Sequence, residues 1–287
     1  MEEEAILEFV EKQVSLPSIP MVAVRVLQII NDPNSTAGQL EEALRGDSSL
    51  VSTILRMANS AFYQRMEKAR SVRDAIAVLG FKTISNLVLA SSTRSLYSPF
   101  GLHENMLWEH SIGTAITSAL LAREFRVLKP DEALVAGLVH DIGKIILNLA
   151  KPEVYGEVAE SVYNQGRTYF DTEQDLLDFT HCDVGASLVK KWNFPIEFGK
   201  AIYYHHRVSD LDAERMDPVH VKFIALVDVA NQMMHRLGVG YRTPREDLEL
   251  SALPSWRLLG IEVDQESLDS LLERVEAAYQ EEKSKYG

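Results

Sequence analysis

Apolar residues recur at helical spacing along almost the whole chain, and this pattern restricts the fold more than any other feature. Between residues 47 and 58, for example, Leu50, Val51, Ile54 and Leu55 fall on one face of a helix. No alternating run of apolar and polar residues is long enough for a strand, and no internal repeat is present. The sequence therefore predicts an all-α protein built as a multi-helix bundle.

Capping and turn residues divide this pattern into separate helices. Thr36 and Gln39 have the form of a capping box, Ser71 can open a helix, and Gly80 can close it. The predicted helices cover 21–30, segments that begin at Thr36, Asp47 and Ser71, a segment through 84–91, and then 103–125, 131–140, 152–165, 182–192, 195–206, 218–237 and 264–283.

The sequence Ser98-Pro-Phe-Gly101 is the strongest break in the first half of the chain. We therefore predict a helical half of five short helices over 1–101. A second helical half over 102–237 contains most of the histidines, and a helical extension follows over 238–287.

Charge and composition narrow the classes of partner. The net charge of −13 repels phosphate backbones, and the basic residues form no run, so no nucleic acid is expected as a partner. No apolar stretch approaches the roughly 18 residues of a membrane span, and the start Met-Glu-Glu-Glu is unlike a secretory signal. With one cysteine, Cys182, the chain is expected in the reducing cytoplasm. Its oligomeric state is left open.

The dipeptide His140-Asp141 is the best candidate for chemistry. Chance nearly supplies one such dipeptide in a chain with eight histidines, but this pair ends the strongly apolar run 133–139. Asp228 lies in a second apolar run, 223–230. Buried imidazoles and carboxylates are costly unless they are hydrogen-bonded or bind a metal. An arginine or a helix cap could pair with them, but together they also suit iron, manganese, zinc or nickel.

The order of these residues resembles a known family. His110, His140-Asp141 and Asp228 follow the H…HD…D order of the HD superfamily of metal-dependent phosphohydrolases. Segments 16–20, 47–50, 55–60 and 75–80 resemble the amino-terminal half of HDOD domains. The resemblance covers about residues 13–210, with Asp228 just beyond it.

The resemblance implies a site with two divalent metal ions. One ion would be held by His110, His140, Asp141 and Asp228, and the other by Asp141, His181, His205 and His206. Asp141 would bridge the ions and activate water with them, and Lys144 would face the same cleft and stabilise a phosphoryl oxygen. Asp141 and Lys144 are thus the candidate catalytic residues.

The sequence also departs from the cyclic di-GMP phosphodiesterases of the superfamily. Arg207-Val-Ser follows the histidine pair where those enzymes have glutamate and Gly-Tyr-Pro, which argues against cyclic di-GMP as a substrate. Met106 stands where they place the glutamate that serves a third metal, so two ions are the most that we expect.

Each candidate has an alternative interpretation. His110 could be a hydrogen-bonded core histidine, His181 a helix cap, and Lys144 a solvated side chain. His205 and His206 can reach one ion together only at a helix end or against a wide site, because adjacent helical side chains diverge by about 100°. Cys182 most simply packs as a small apolar residue.

Two functions remain open at this stage. The first is a bacterial signalling protein with an intact dinuclear site that hydrolyses a nucleotide or a phosphodiester. The second is a non-catalytic metal-binding module that recruits a signalling protein as its partner.

Overall fold

The computed structural model describes residues 6, 8, 22, 25, 26, 28, 29, 32, 34–44, 47–59, 68–93 and 101–285. Helices dominate these residues, and no strand occurs among them. The all-α prediction is confirmed. The 16–20 motif, half of the predicted helix over 21–30 and most of the break at 98–101 lie outside the described residues.

The α-helices with defined bounds are α1 (Ala37–Leu44), α2 (Ser48–Ala58), α3 (Val72–Leu79), α4 (Phe81–Thr93), α5 (Leu102–Phe125), α6 (Pro130–Val139), α7 (Ile142–Ala150), α8 (Pro152–Gln165), α9 (Tyr169–Leu177), α10 (His181–Lys191), α11 (Ile196–Tyr204), α12 (Pro218–Leu237), α13 (Pro254–Leu259) and α14 (Gln265–Glu282).

Capping side chains begin the helices where the sequence predicts them. The Asp47 carboxylate accepts a hydrogen bond from the Leu50 backbone N–H at 2.9 Å. The Ser71 hydroxyl accepts one from the Asp74 N–H at 3.0 Å, and Gly80 ends this helix with φ of +88°. Helices α7, α9 and α13 were not among the predicted elements.

The core centres on α6, whose residues from Ala133 to Val139 are all buried. Helix α4 packs against it, and a buried hydrogen bond joins the Asn86 amide to the Asp131 carboxylate at 2.8 Å. One apolar cluster contains residues from both predicted halves of the chain, from Leu40 to Phe223 and beyond. The subdomain boundary near residue 101 stays a prediction.

A second apolar cluster joins the carboxyl-terminal helices to α5 and α12. Leu268, Leu271 and Val275 of α14 are buried in it, as their spacing predicts. Met233 and Trp256 are also buried there, so they belong to the core.

Residues Pro130–Ala150 are long and apolar enough in composition to cross a membrane. However, 83% of their most apolar window is buried inside the protein. The stretch is also interrupted at His140 and Asp141, which lie in the turn between α6 and α7. It thus has the properties of core helices.

Helices α7 and α10 approach each other closely at Gly143. A Cβ atom on Gly143 would lie 2.0 Å from the backbone oxygen of His181 and 2.9 Å from the backbone nitrogen of Gly185. Neither backbone atom can rotate away as a side chain could. The missing side chain therefore sets the distance between Asp141, just before α7, and His181, the first residue of α10.

We expect Gly143→Ala to lower the free energy of unfolding by roughly 1–3 kcal/mol or more, because the methyl group forces the two helices apart. Chemical denaturation would measure the change. The matched control is Gly156→Ala, on an exposed part of α8 where a Cβ meets no atom within 4 Å. This control should gain up to about 1 kcal/mol from helix propensity. Equal stabilities of the two variants would contradict the packing argument.

Candidate metal centre

Six of the seven predicted ligands meet in one buried place and form two groups that share Asp141. The first ligand group is His110, His140 and Asp141. The second ligand group is Asp141, His181, His205 and His206. Within each group the ligand atoms lie within 4.8 Å of one another. Each group thus has the dimensions of a metal site.

Breaks between helices place these side chains. His140 and Asp141 form the turn between α6 and α7, His181 begins α10, and His205 and His206 follow the last residue of α11. His110 differs from these residues because it lies in the middle of a helix, α5, where it is buried. A helix end, which lets the adjacent pair His205 and His206 reach one ion, is therefore present.

The Asp141 carboxylate turns one oxygen toward each group. Its Oδ2 lies 3.3 Å from Nε2 of His140 and 3.7 Å from Nε2 of His110. Its Oδ1 lies 3.3 Å from Nε2 of His181 and 3.6 Å from Nε2 of His205. Such a carboxylate can bridge two cations.

Several buried lone pairs around Asp141 have no hydrogen-bond partner. The Nδ1 atoms of His140 and His205 each lie 2.7 Å from a backbone carbonyl three residues earlier, those of Gly137 and Ile202. These contacts place the ring proton on Nδ1 and leave a lone pair on Nε2. Both Nε2 atoms and Asp141 Oδ1 lack a partner. Buried polar atoms are normally satisfied, and divalent cations in the two groups would satisfy these three, so the residues fit metal ions.

Glu173 orients His181 from outside the ligand groups. Its Oε2 lies 2.6 Å from Nδ1 of His181 and accepts the His181 backbone N–H at 2.7 Å. The Tyr155 hydroxyl donates to its Oε1 at 2.7 Å. A carboxylate behind a metal-binding histidine fixes the ring and raises its basicity. Sequence reasoning missed Glu173, because only the unpredicted helix α9 brings it to this place.

Burial and charge set the protonation states of the cluster. Burial lowers the pKa of His110 to about 3 and lowers the pKa values of His140 and His206, so these rings are neutral. Burial opposes ionisation of Asp141, but His140 and Lys144 hold the pKa of its carboxyl well below the usual range. A neutral imidazole and an ionised carboxylate are the forms that bind metals.

His181 has the opposite shift. Burial alone lowers the pKa of its ring, but the adjacent Cys182 thiol and the Glu173 carboxylate raise it to about 9 overall. Cys182 is buried, with its Sγ 3.5 Å from Nε2 of His181, and it belongs to neither ligand group. Without a metal, His181 is therefore protonated at neutral pH.

Lys144 is buried, and the alternative of a solvated side chain is wrong. Its Nζ donates to Asp141 Oδ2 at 2.6 Å and lies 4.5 Å from the centre of the Tyr169 ring. Only 1% of the residue is exposed. A buried ammonium persists because the carboxylate pairs with it.

Asp228 does not join the first ligand group. Its carboxylate accepts hydrogen bonds from the Ser255 hydroxyl and from the Gln232 amide, so it faces α13 rather than the cluster. Burial raises the pKa of this carboxyl. From the same helix, α12, the side chain that reaches the group is Asn231, whose Oδ1 lies 2.8 Å from Nε2 of His110. The sequence marks both residues only as polar positions in a buried helix.

We expect Glu173→Gln to weaken binding of a divalent metal by about 10- to 100-fold, because the amide removes the negative charge that supports His181. Competition with a chromophoric chelator would measure the affinity. Tyr155→Phe is the matched control, since it removes the other side-chain contact of Glu173 without touching His181. Equal losses in both variants would show that Glu173 acts only through packing.

We also expect the affinity for Mn²⁺ to increase as the pH rises from 7 to 9. Below a pKa of about 9 the proton on His181 must leave before Nε2 can bind a metal. The affinity should rise by up to about tenfold per pH unit and level off above pH 9. Proton release on metal addition at pH 7 would check the same point. An affinity that is constant over this range would contradict the assignment.

The HDOD domain family model matches residues 16–208 of the chain. An HDOD domain protein with unknown function from Geobacter sulfurreducens is 26% identical, with a TM-score of 0.77, and the match covers 98% of this chain and 99% of that one. A candidate phosphohydrolase from Shewanella amazonensis is 25% identical, with a TM-score of 0.72, over 99% of this chain and 98% of that one.

A candidate metal-dependent phosphohydrolase from Shewanella amazonensis, 20% identical with a TM-score of 0.68, shares the fold over 99% of this chain and 98% of that one. An uncharacterised Treponema pallidum protein is 22% identical over 248 residues, which are 85% of this chain. The chain spans only 46% of the length of that relative. The family match spans about two thirds of the chain and includes six of the seven predicted ligands, all but Asp228. This chain belongs to the HDOD domain family.

Proposed function

We propose that this chain is a bacterial signalling protein that holds two divalent metal ions at Asp141 and hydrolyses a nucleotide or a phosphodiester. The observation that carries the proposal is the Asp141 carboxylate between two groups of imidazoles with unsatisfied Nε2 atoms. The similarity to a candidate phosphohydrolase from Shewanella amazonensis supports it. Iron, manganese, zinc and nickel all suit these ligands.

The chain's own residues would prepare the site for this chemistry. Divalent ions in such a cluster supply activation of water and polarisation of the phosphoryl oxygens. Asp141 stays ionised and would be the ligand that both ions share. Glu173 fixes the ring of His181, and backbone carbonyls fix His140 and His205. Because these partners set each ring before substrate binds, little reorganisation is needed during the reaction.

Lys144 would stabilise the negative charge on the phosphoryl oxygens of the substrate. Its ammonium lies beside Asp141, within the same buried volume as the ligand atoms. A phosphoryl group that approaches Asp141 therefore approaches a fixed positive charge as well. Charge stabilisation of this kind is strongest where water is excluded.

The burial of the cluster favours a second candidate function, a metal-binding signalling module without catalysis that recruits a protein partner. His140, His181 and His205 are 0% exposed. The Tyr169 ring covers the Lys144 ammonium and packs against Tyr163 and Tyr241. Structural metal sites are closed in this way, whereas catalytic sites keep a position open to substrate.

For both functions we propose a cytoplasmic location, in keeping with the free cysteine Cys182. Under the first function the partner is a small phosphorylated ligand or a nucleotide, and under the second it is a signalling protein. Neither nucleic acid nor a membrane is proposed as a partner.

We expect protein loaded with Mn²⁺, Fe²⁺, Zn²⁺ or Ni²⁺ to release phosphate from, or cleave, at least one member of a panel of phosphomonoesters, nucleotides and cyclic dinucleotides. Asp141→Ala should lower this activity by about 10³-fold or more, because both ions lose their shared ligand. Asp228→Asn is the matched control and should keep the activity, since Asp228 faces Ser255.

Activity that survives Asp141→Ala would contradict the catalytic proposal. Elemental analysis of the same preparations separates the two functions. Bound metal with no activity on any substrate would favour the signalling module, and less than about one metal per chain would contradict both.

A further inference from the structure

One more buried polar side chain contacts the first ligand group. Asn231 of α12 is 1% exposed, and its Oδ1 lies 2.8 Å from Nε2 of His110. Its Nδ2 is buried without a hydrogen-bond partner. An amide with one unsatisfied end in a protein core requires an explanation.

The other nitrogen of His110 also has a close neighbour. Both ring nitrogens face an oxygen, since Nδ1 lies 3.1 Å from the backbone oxygen of Val239 and Nε2 lies 2.8 Å from Asn231 Oδ1. A neutral imidazole has a single ring proton, so it can donate to only one of these oxygens. The loop can come this close because Gly240 has φ of +76° and no Cβ, which would lie 2.6 Å from the Cβ of His110. With the ring proton on Nδ1, Nε2 of His110 presents a lone pair to the Asn231 oxygen.

Two acceptors 2.8 Å apart repel each other unless a cation lies near both. Nε2 of His140 and Oδ2 of Asp141 bring two further lone pairs toward the same region. An amide oxygen is an ordinary ligand of hard divalent cations. The four atoms together form a set of two imidazole nitrogens, one carboxylate oxygen and one amide oxygen.

We propose that Asn231 is the fourth ligand of the first group and that it makes this position the weaker of the two metal positions. The proposal rests on the dinuclear site proposed above. The first group has the neutral amide of Asn231 where the H…HD…D order places a carboxylate. The Asp141 oxygen on this side, Oδ2, also accepts a hydrogen bond from the Lys144 ammonium. The second group has three imidazoles and Oδ1, the carboxylate oxygen that does not pair with Lys144.

The test is a titration of metal-stripped full-length chain with Mn²⁺ alone, with bound ions counted by electron paramagnetic resonance. Wild type should have one tight and one weak class of site. Asn231→Asp, nearly isosteric, should tighten the weak class by about tenfold or more, because a carboxylate replaces the amide. Asn231→Ala should abolish the weak class and keep the tight one. Asp228→Asn should change neither class.

Each other outcome overturns the proposal. If the Asn231 amide instead donates Nδ2 to His110, Asn231→Asp loses that donor and gains no affinity. If Asp228 is the ligand, Asp228→Asn removes the weak class and the Asn231 variants keep it. Thermal unfolding of each variant identifies any that is misfolded, and Asn231→Ala then decides alone. Because the titration uses no substrate, a chain without phosphohydrolase activity can still pass it.

Discussion

The site depends on the buried negative charge of the Asp141 carboxylate. An isolated charge in the core would cost several kcal/mol, so its neighbours must supply compensating charge. Lys144 does so directly, at 2.6 Å. Glu173 adds a second buried negative charge, and it is balanced by His181, whose pKa is raised to about 9. Without a metal, these two carboxylates and two cations cancel.

This balance has a consequence for metal binding. A divalent ion on His181 displaces one proton, so the cluster gains one net positive charge, and a second ion would add two more. Burial makes uncompensated charge costly whichever its sign. An anion that binds beside both ions would remove the excess. If the chain holds two ions as proposed, the excess positive charge would favour a phosphate-containing ligand over a neutral one.

Much of this arrangement could be predicted from the sequence, because caps and apolar spacing act locally. Asp47 and Ser71 begin their helices as predicted. The resemblance to HD proteins predicted that these histidines lie close together, and they do. The roles of Asp228 and Asn231 could not be predicted. These residues are three apart on one buried helix, so their side chains differ in direction by about 60°, and only the neighbouring helices decide which one faces the cluster. The position of Glu173 could not be predicted either, because it depends on how α9 packs against the rest of the protein.

The site also explains why its most apolar segment is not one continuous helix. Adjacent side chains on a helix point about 100° apart, so an unbroken helix could not turn both His140 and Asp141 toward one centre. The chain breaks at this pair, where Asp141 has φ of −103° and ψ of 12°, and resumes as α7. Gly143 then lets α7 contact the start of α10, which brings His181 to Asp141. The polar dipeptide and the glycine together make a stretch with membrane-like composition part of a cluster of ionisable side chains within the core.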